Sequence, residues 1–188
     1  FGAVYCFPPG FDGGSNHFRS DLMQWLVDLH PAIFRVPGGN YLEGSTYADR
    51  FNWSQTIGPI ENRPGHFNSA WGYWSTDGLG LDEYLEMAEL MGAEPVLAVY
   101  AGYTLNGSSD TGAVLANDVT DALNELHYVL DPITTSWGAL RAANGHPAPY
   151  NVNYVEIGNE DWFSTTYPER YPLFYDAIRA QFPSLQII

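Results

Sequence analysis

Short apolar runs alternate along this chain with stretches of helical spacing, and no other feature limits the fold as much. Ala3 to Phe7 reads as a strand stopped by Pro8-Pro9-Gly10. Phe18, Leu22, Trp25, Leu26 and Leu29 then recur at helical spacing, with Ser15 or Asn16 as cap and Pro31 closing. Ala32 to Val36 is the next strand, broken by Pro37-Gly38-Gly39. Leu81, Tyr84, Leu85, Ala88 and Met91 mark a second helix that ends near Gly92, and Glu94 to Tyr100 a third strand. Leu115, Val119, Ala122, Leu126 and Val129 mark a third helix. Val152 to Ile157 is a fourth strand ended by Gly158; Phe174, Ala177, Ile178 and Phe182 give a fourth helix stopped by Pro183; Leu185 to Ile188 opens a fifth strand.

The order βαβαβαβαβ implies a parallel sheet covered by helices. A doubly wound sheet typically carries a Gly-rich phosphate loop at its switch point, and neither GxGxxG nor GxxxxGK[ST] occurs. A (β/α)8 TIM barrel takes about 250 residues, more than the 188 here. The expectation is therefore an α/β chain, residues 1–188 supplying roughly strands 1–5 of a (β/α)8 barrel. Two connections are long. Asn40 to Thr76 lacks regular periodicity yet holds Trp53, Trp71 and Trp74, too aromatic for a disordered linker. Asp131 to Tyr150 is rich in Pro, Gly, Ala and Thr and reads as a second loop.

Composition narrows the ligand. A net charge of −15 repels phosphate backbones, so no nucleic-acid partner is expected. Thirteen tyrosines and six tryptophans suit a neutral ligand such as a sugar. Cys6 is the sole cysteine, which excludes an intrachain disulfide and a thiolate metal cluster and reads as a buried structural thiol. His17, His30, His66, His127 and His146 show no HxH or HExxH spacing, and no GxSxG elbow is present. No apolar run is long enough to span a bilayer, so no membrane partner is expected. Asn52-Trp53-Ser54 and Asn106-Gly107-Ser108 are N-glycosylation sequons, and the acidic, aromatic composition fits a secreted, extracellular protein. The chain opens on Phe1, which reads as processing or truncation upstream.

The stretch with most chemistry is Val155-Glu156-Ile157-Gly158-Asn159-Glu160-Asp161. In parallel α/β folds the carboxyl end of a strand carries the site. Glu160 there, beside the amide of Asn159 and the aromatics Trp162 and Phe163, suits a general acid in a largely water-shielded mouth with a raised pKa. Asp161 and Glu156 are weaker candidates, Glu156 reading as structural. Arg35, inside a strand, needs a partner if buried and is placed to hold a carboxylate ionised; an internal salt bridge without chemistry is the plainer reading. Asn40, past two glycines, suits a sugar-hydroxyl donor or a self-satisfied turn residue.

The runs FRVPGGNYLEG, FNWSQTIGPIENRPG, WGYWSTDGLGLDEYLEMAELMGAEPVLAVYAG and YVEIGNED resemble family 51 glycoside hydrolases, the α-L-arabinofuranosidases, in the right order over most of the chain. The resemblance implies a (β/α)8 barrel with an accessory β-sandwich and no metal or organic cofactor. It implies Glu160 as acid/base, Asn159 and Asn40 as sugar-binding amides, Arg35 as the residue orienting the nucleophile, and Trp71 as a wall of the site. It also implies a glutamate nucleophile after the seventh strand and a substrate-binding glutamate before Phe1, neither in this chain. A retaining glycosidase needs two carboxylates about 5–5.5 Å apart, so residues 1–188 hold only the first. The implied partners are arabinose-containing polysaccharides or oligosaccharides and the rest of the same enzyme: the missing barrel half and the β-sandwich. Two other readings stand beside it: a non-catalytic sugar-binding or assembly fragment, and another retaining barrel glycosidase such as a xylanase or glucanase.

Overall fold

The computed structural model describes residues 9–13 and 17–188. The expected strand Ala3–Phe7, Cys6 and the caps Ser15 and Asn16 lie outside the described residues. Four parallel strands form one sheet: β1 (Ile33–Val36), β4 (Glu94–Val99), β5 (Tyr154–Ile157) and β6 (Gln186–Ile187), with β2 (His66–Asn68) and β3 (Tyr73–Ser75) forming a separate antiparallel hairpin. The parallel strands lie side by side in chain order. That order contains no reversal, hence no switch point, and separates a winding barrel from a doubly wound sheet.

Helices α1 (Ser20–Asp28), α3 (Leu81–Met91), α4 (Gly112–Leu130) and α6 (Tyr167–Gln181) fill the expected crossovers. Gly92 ends α3 in the left-handed region, the conformation a glycine C-cap supplies without strain. Leu97, Val99, Val155 and Ile157 turn one face of the sheet onto Leu126, Val129, Phe174 and Ile178 of α4 and α6. Ala98 and Tyr100 face the other way and pack with Leu42. The first face is thus covered by helices, and the second carries a smaller apolar contact beside the more open Arg35 and Glu156.

Three expectations need correction. The α1 residues expected to be buried are largely outside: Leu22, Trp25 and Leu29 are exposed, and Met23 makes the core contact. Arg19 occupies the helix N-cap. The Asp131–Tyr150 connection contains a helix, α5 (Ser136–Ala143), started by the Thr135 side chain accepting from the Gly138 amide. Its Ala/Gly composition hides the apolar period. The loop Asn40–Thr76 is ordered, as its aromatics implied, but holds short elements that its lack of periodicity did not show: a four-residue helix α2 (Asn40–Glu43), three 3-10 turns and the β2–β3 hairpin. Three-residue strands are too short to show a period of two.

Arg141 ties α5 to its surroundings. Its side chain is fully buried and donates to the carbonyls of Tyr128, Val129, Asp131, His146 and Pro147. Removing it strands several buried acceptors at once. Arg141→Met should destabilise the protein by about 3 kcal/mol or more, measured by urea unfolding; an unchanged midpoint would contradict this role.

Candidate active site

The parallel register decides which side chains meet. Arg35 lies opposite Val96, and Ala98 opposite Glu156. Side chains two apart along a strand share a face, so Arg35 and Glu156 project from the same face on either side of β4. Between them sits Ala98, buried and small. The guanidinium reaches over it to Glu156 as a fork, Nε to Oε2 at 2.5 Å and Nη2 to Oε1 at 2.8 Å. Nη2 also donates to Asn159 Oδ1 at 2.7 Å. Glu156 foremost, with Glu160 and Glu43 adding, raises the Arg35 pKa against the effect of burial.

Beyond β5 the chain turns sharply. Gly158 has φ 82°, and a Cβ there would lie 2.8 Å from Asp161 Oδ2, so both backbone and space demand glycine. Glu160 follows in the left-handed region at φ 48°, a conformation costing a non-glycine residue roughly 1–3 kcal/mol and concentrated at functional sites. Asp161 turns back inward and pairs with Arg170 of α6 at 3.0 Å, both side chains 2% exposed. Arg170 also donates to the Ala101 carbonyl and faces the rings of Tyr103 and Tyr167. Burial raises the Asp161 pKa, with Arg170 opposing.

Asn159 is the hub. It is 4% exposed. Its Oδ1 accepts from Arg35, while Nδ2 donates to Glu43 Oε2 at 3.1 Å and to Asn40 Oδ1 at 3.3 Å. Asn40 and Glu43 come from α2, after the double-glycine break that follows β1. Glu160 is exposed, and its carboxylate makes no hydrogen bond or ion pair among the described residues. It acts electrostatically on both Arg35 and Glu43. Trp162 and Phe163 do not enclose it as expected: they are 73% and 61% exposed and stack on each other at 3.7 Å.

The structure therefore brings Arg35, Asn40, Asn159 and Glu160 to one end of the sheet. Trp71 is at the β2–β3 turn, 68% exposed, in a groove with Pro37, Tyr41, Trp74 and Tyr84. Pro37 joins that groove to the Arg35–Asn40 segment. A larger cleft of about 620 Å³ runs along the outer face of α3, past Glu83, Glu86 and Glu89, away from the strand ends that gather the site. Among the described residues no group of three His, Cys, Asp or Glu is arranged to hold a metal ion. Two site residues escaped the sequence reading, Glu43 and Arg170. Glu43 stands three after Asn40 in a run closed by Gly44, a spacing that puts both on one helix face. No pattern marks Arg170.

Residues 25–188 match the family model described as the alpha-L-arabinofuranosidase 1 domain. This chain belongs to that family. It is 45% identical over its whole length to a probable alpha-L-arabinofuranosidase A of Aspergillus flavus, covering 31% of that protein. It is 40% identical over 91% of its length to alpha-L-arabinofuranosidase 1 of Arabidopsis thaliana, covering 25% of it. The chain thus spans less than a third of these relatives. An arabinose-bound GH51 α-L-arabinofuranosidase superposes with a TM-score of 0.91 at 44% identity, over 96% of this chain and 29% of that one. The Thermotoga maritima α-L-arabinofuranosidase, also an arabinose complex, superposes with a TM-score of 0.72 at 27% identity, over 91% of this chain and 33% of that one. The fold is thus the N-terminal part of the family's barrel.

Asp161 and Arg170 form a buried pair whose members each need the other. Asp161→Asn leaves an unpaired buried cation and should destabilise the protein by about 3–5 kcal/mol, read from denaturant midpoints. A loss under about 1 kcal/mol would mean that Arg170 is satisfied by its carbonyl and ring contacts alone.

Proposed function

We propose that this chain is the acid/base-bearing part of a retaining α-L-arabinofuranosidase, releasing terminal arabinofuranosyl groups from arabinan- or arabinoxylan-type substrates. One observation carries the reading. Of the carboxyls gathered at the carboxyl end of the sheet, Glu156 and Asp161 are held by arginines and Glu43 is buried, while Glu160 alone is exposed and unpartnered. A proton-transfer group must be free to reach the substrate oxygen; a carboxylate committed to a guanidinium is not.

Glu160 protonates the leaving oxygen while a second carboxylate, outside residues 1–188, attacks the anomeric carbon. Glu160 then takes a proton from the water that releases arabinose. Arg35 orients that nucleophile, from its place between Glu156 and Asn159. Asn40 keeps Nδ2 free of protein partners among the described residues, and this amide donates to a sugar hydroxyl. Asn159 reaches the sugar by exchanging its longest hydrogen bond, 3.3 Å to Asn40, for a sugar hydroxyl. Trp71 walls the approach from the hairpin groove. The accessory β-sandwich and the remaining barrel strands belong to the same enzyme, and no metal or organic cofactor takes part. The arabinofuranosidase neighbours support this substrate class over a xylanase or glucanase.

Secretion and glycosylation belong to the same proposal. Among the described residues no helix is long and apolar enough to cross a membrane. Asn106 is exposed on the β4–α4 loop, its Oδ1 held by the Ser108 amide and the Thr104 hydroxyl. Asn52 is half-buried, its Oδ1 held by Ser54 Oγ at 2.9 Å.

In the full-length protein, Glu160→Gln should slow hydrolysis of poor leaving groups by about 10²–10⁴-fold and spare activated aryl arabinofuranosides in the first step. Equal losses on both substrates would rule Glu160 out as the proton donor. Expressed in a secreting eukaryotic host, the protein should lose mass on deglycosylation, and Asn106→Gln should remove a glycan; an intact mass equal to that of the bare polypeptide would contradict modification there.

A further inference from the structure

Glu43 takes no part in the chemistry above, yet it is the most deeply buried carboxyl touching the site, 1% exposed. We propose that Glu43 is a positioning residue acting through Asn159: its carboxyl holds that amide in the one orientation that serves both Arg35 and the sugar. The inference rests on the arabinofuranosidase reading.

The geometry runs through both ends of one amide. Arg35 carries only donors, so it demands the oxygen of Asn159, and Nη2 sits 2.7 Å from Oδ1. At the opposite end Glu43 Oε2 accepts from Nδ2 at 3.1 Å. A flipped amide would set N–H against the guanidinium. Glu43 thereby leaves the second Nδ2 hydrogen for the long contact to Asn40, the one a sugar hydroxyl replaces. The residue is fixed in turn by α2: Leu42 packs under Ala98 and Tyr100, which sends Asn40 and Glu43 to the site side.

Glu43 Oε1 is buried with no hydrogen-bond partner. An ionised oxygen left in that condition is costly. Burial first, then the neighbouring Asp161 and Glu160 carboxylates, push the Glu43 pKa up to about 8, against the Asn159 hydrogen bond. The charged groups around it are Asp161 and Glu160 beyond β5, Arg170 behind Asp161 on α6, and Arg35 paired with Glu156. Glu43 is thus a neutral acid at pH 7, and it ionises as pH rises through about 8, placing a second carboxylate beside Asp161.

The test is the full-length protein on 4-nitrophenyl α-L-arabinofuranoside, as wild type, Glu43→Leu and Glu43→Gln. Glu43→Leu should raise KM and lower kcat/KM by about tenfold or more, the scale of one lost buried hydrogen bond; partial unfolding would instead lower kcat with KM unchanged. Wild type should lose kcat/KM as pH rises through about 8; Glu43→Gln, which still accepts from Asn159 and cannot ionise, should rescue most of the Glu43→Leu loss and lack that alkaline fall. An unchanged KM in Glu43→Leu, or a Glu43→Gln profile with the same alkaline fall, overturns the inference while leaving the enzyme's function standing. If Glu43→Leu does not fold, the pH profile of Glu43→Gln decides alone. A wild type inactive on this substrate overturns the family function and this inference together.

Discussion

The fork between Arg35 and Glu156 sets the geometry on which the site depends. It spans three strands and passes over Ala98, small and buried on β4. Its energetic value is modest. The two side chains are 39% and 21% exposed, and pairs with such access to water contribute about 0–1 kcal/mol. Its use is positional. A bidentate guanidinium fixes direction as well as distance, and Nη2, one of the two nitrogens of the fork, also donates to Asn159. From that contact the amide, Asn40 and Glu43 fall into place in order.

Asp161 and Arg170 work differently. At 2% exposure each, the pair loses hydration that its mutual attraction only partly returns. Hydrophobic residues of the same volume would stabilise the fold at least as well. What the pair supplies is the path of the backbone: Asp161 must turn inward against Gly158, and that reversal throws Glu160 into the left-handed region with its side chain outward. The strained residue and the buried ion pair are two consequences of one tight turn. Local strain of this kind persists only where its surroundings overdetermine it, and here a strand end, an ion pair and a close glycine contact all do.

The sheet and its crossovers were legible because long elements repeat their signal. α3 begins and ends at the expected residues, and the register follows from the apolar runs. What stayed hidden was short or masked by composition. α5 is Ala- and Gly-rich, and α6 begins well before the apolar period shows, with Pro168 in its first turn, where Pro is tolerated, and Pro172 inside the helix. α1 shows the opposite failure: Leu22, Trp25 and Leu29 have helical spacing but stay exposed, since periodicity identifies a face without saying what covers it. At the site, the Asn-Glu pair announced itself at a strand end. Glu43 and Arg170 did not, because their roles come from burial and from partners more than a hundred residues away in one case and across a helix in the other.

The charges at this end of the sheet explain how one carboxylate is kept available. Two arginines face four acids, and two of those acids are matched to the arginines. A third ionised group buried at Glu43 would bias the local field further negative, beside the Asp161 and Glu160 carboxylates. Protonation of Glu43 removes that charge and leaves an acceptor still able to hold the amide. Glu160 is then the carboxyl at this end of the sheet with access to solvent and with no hydrogen-bond or ion-pair partner among the described residues. For the proposed acid/base chemistry this division has a use: the paired acids hold the shape, the neutral acid holds the amide, and the unpaired carboxylate stays open to a substrate.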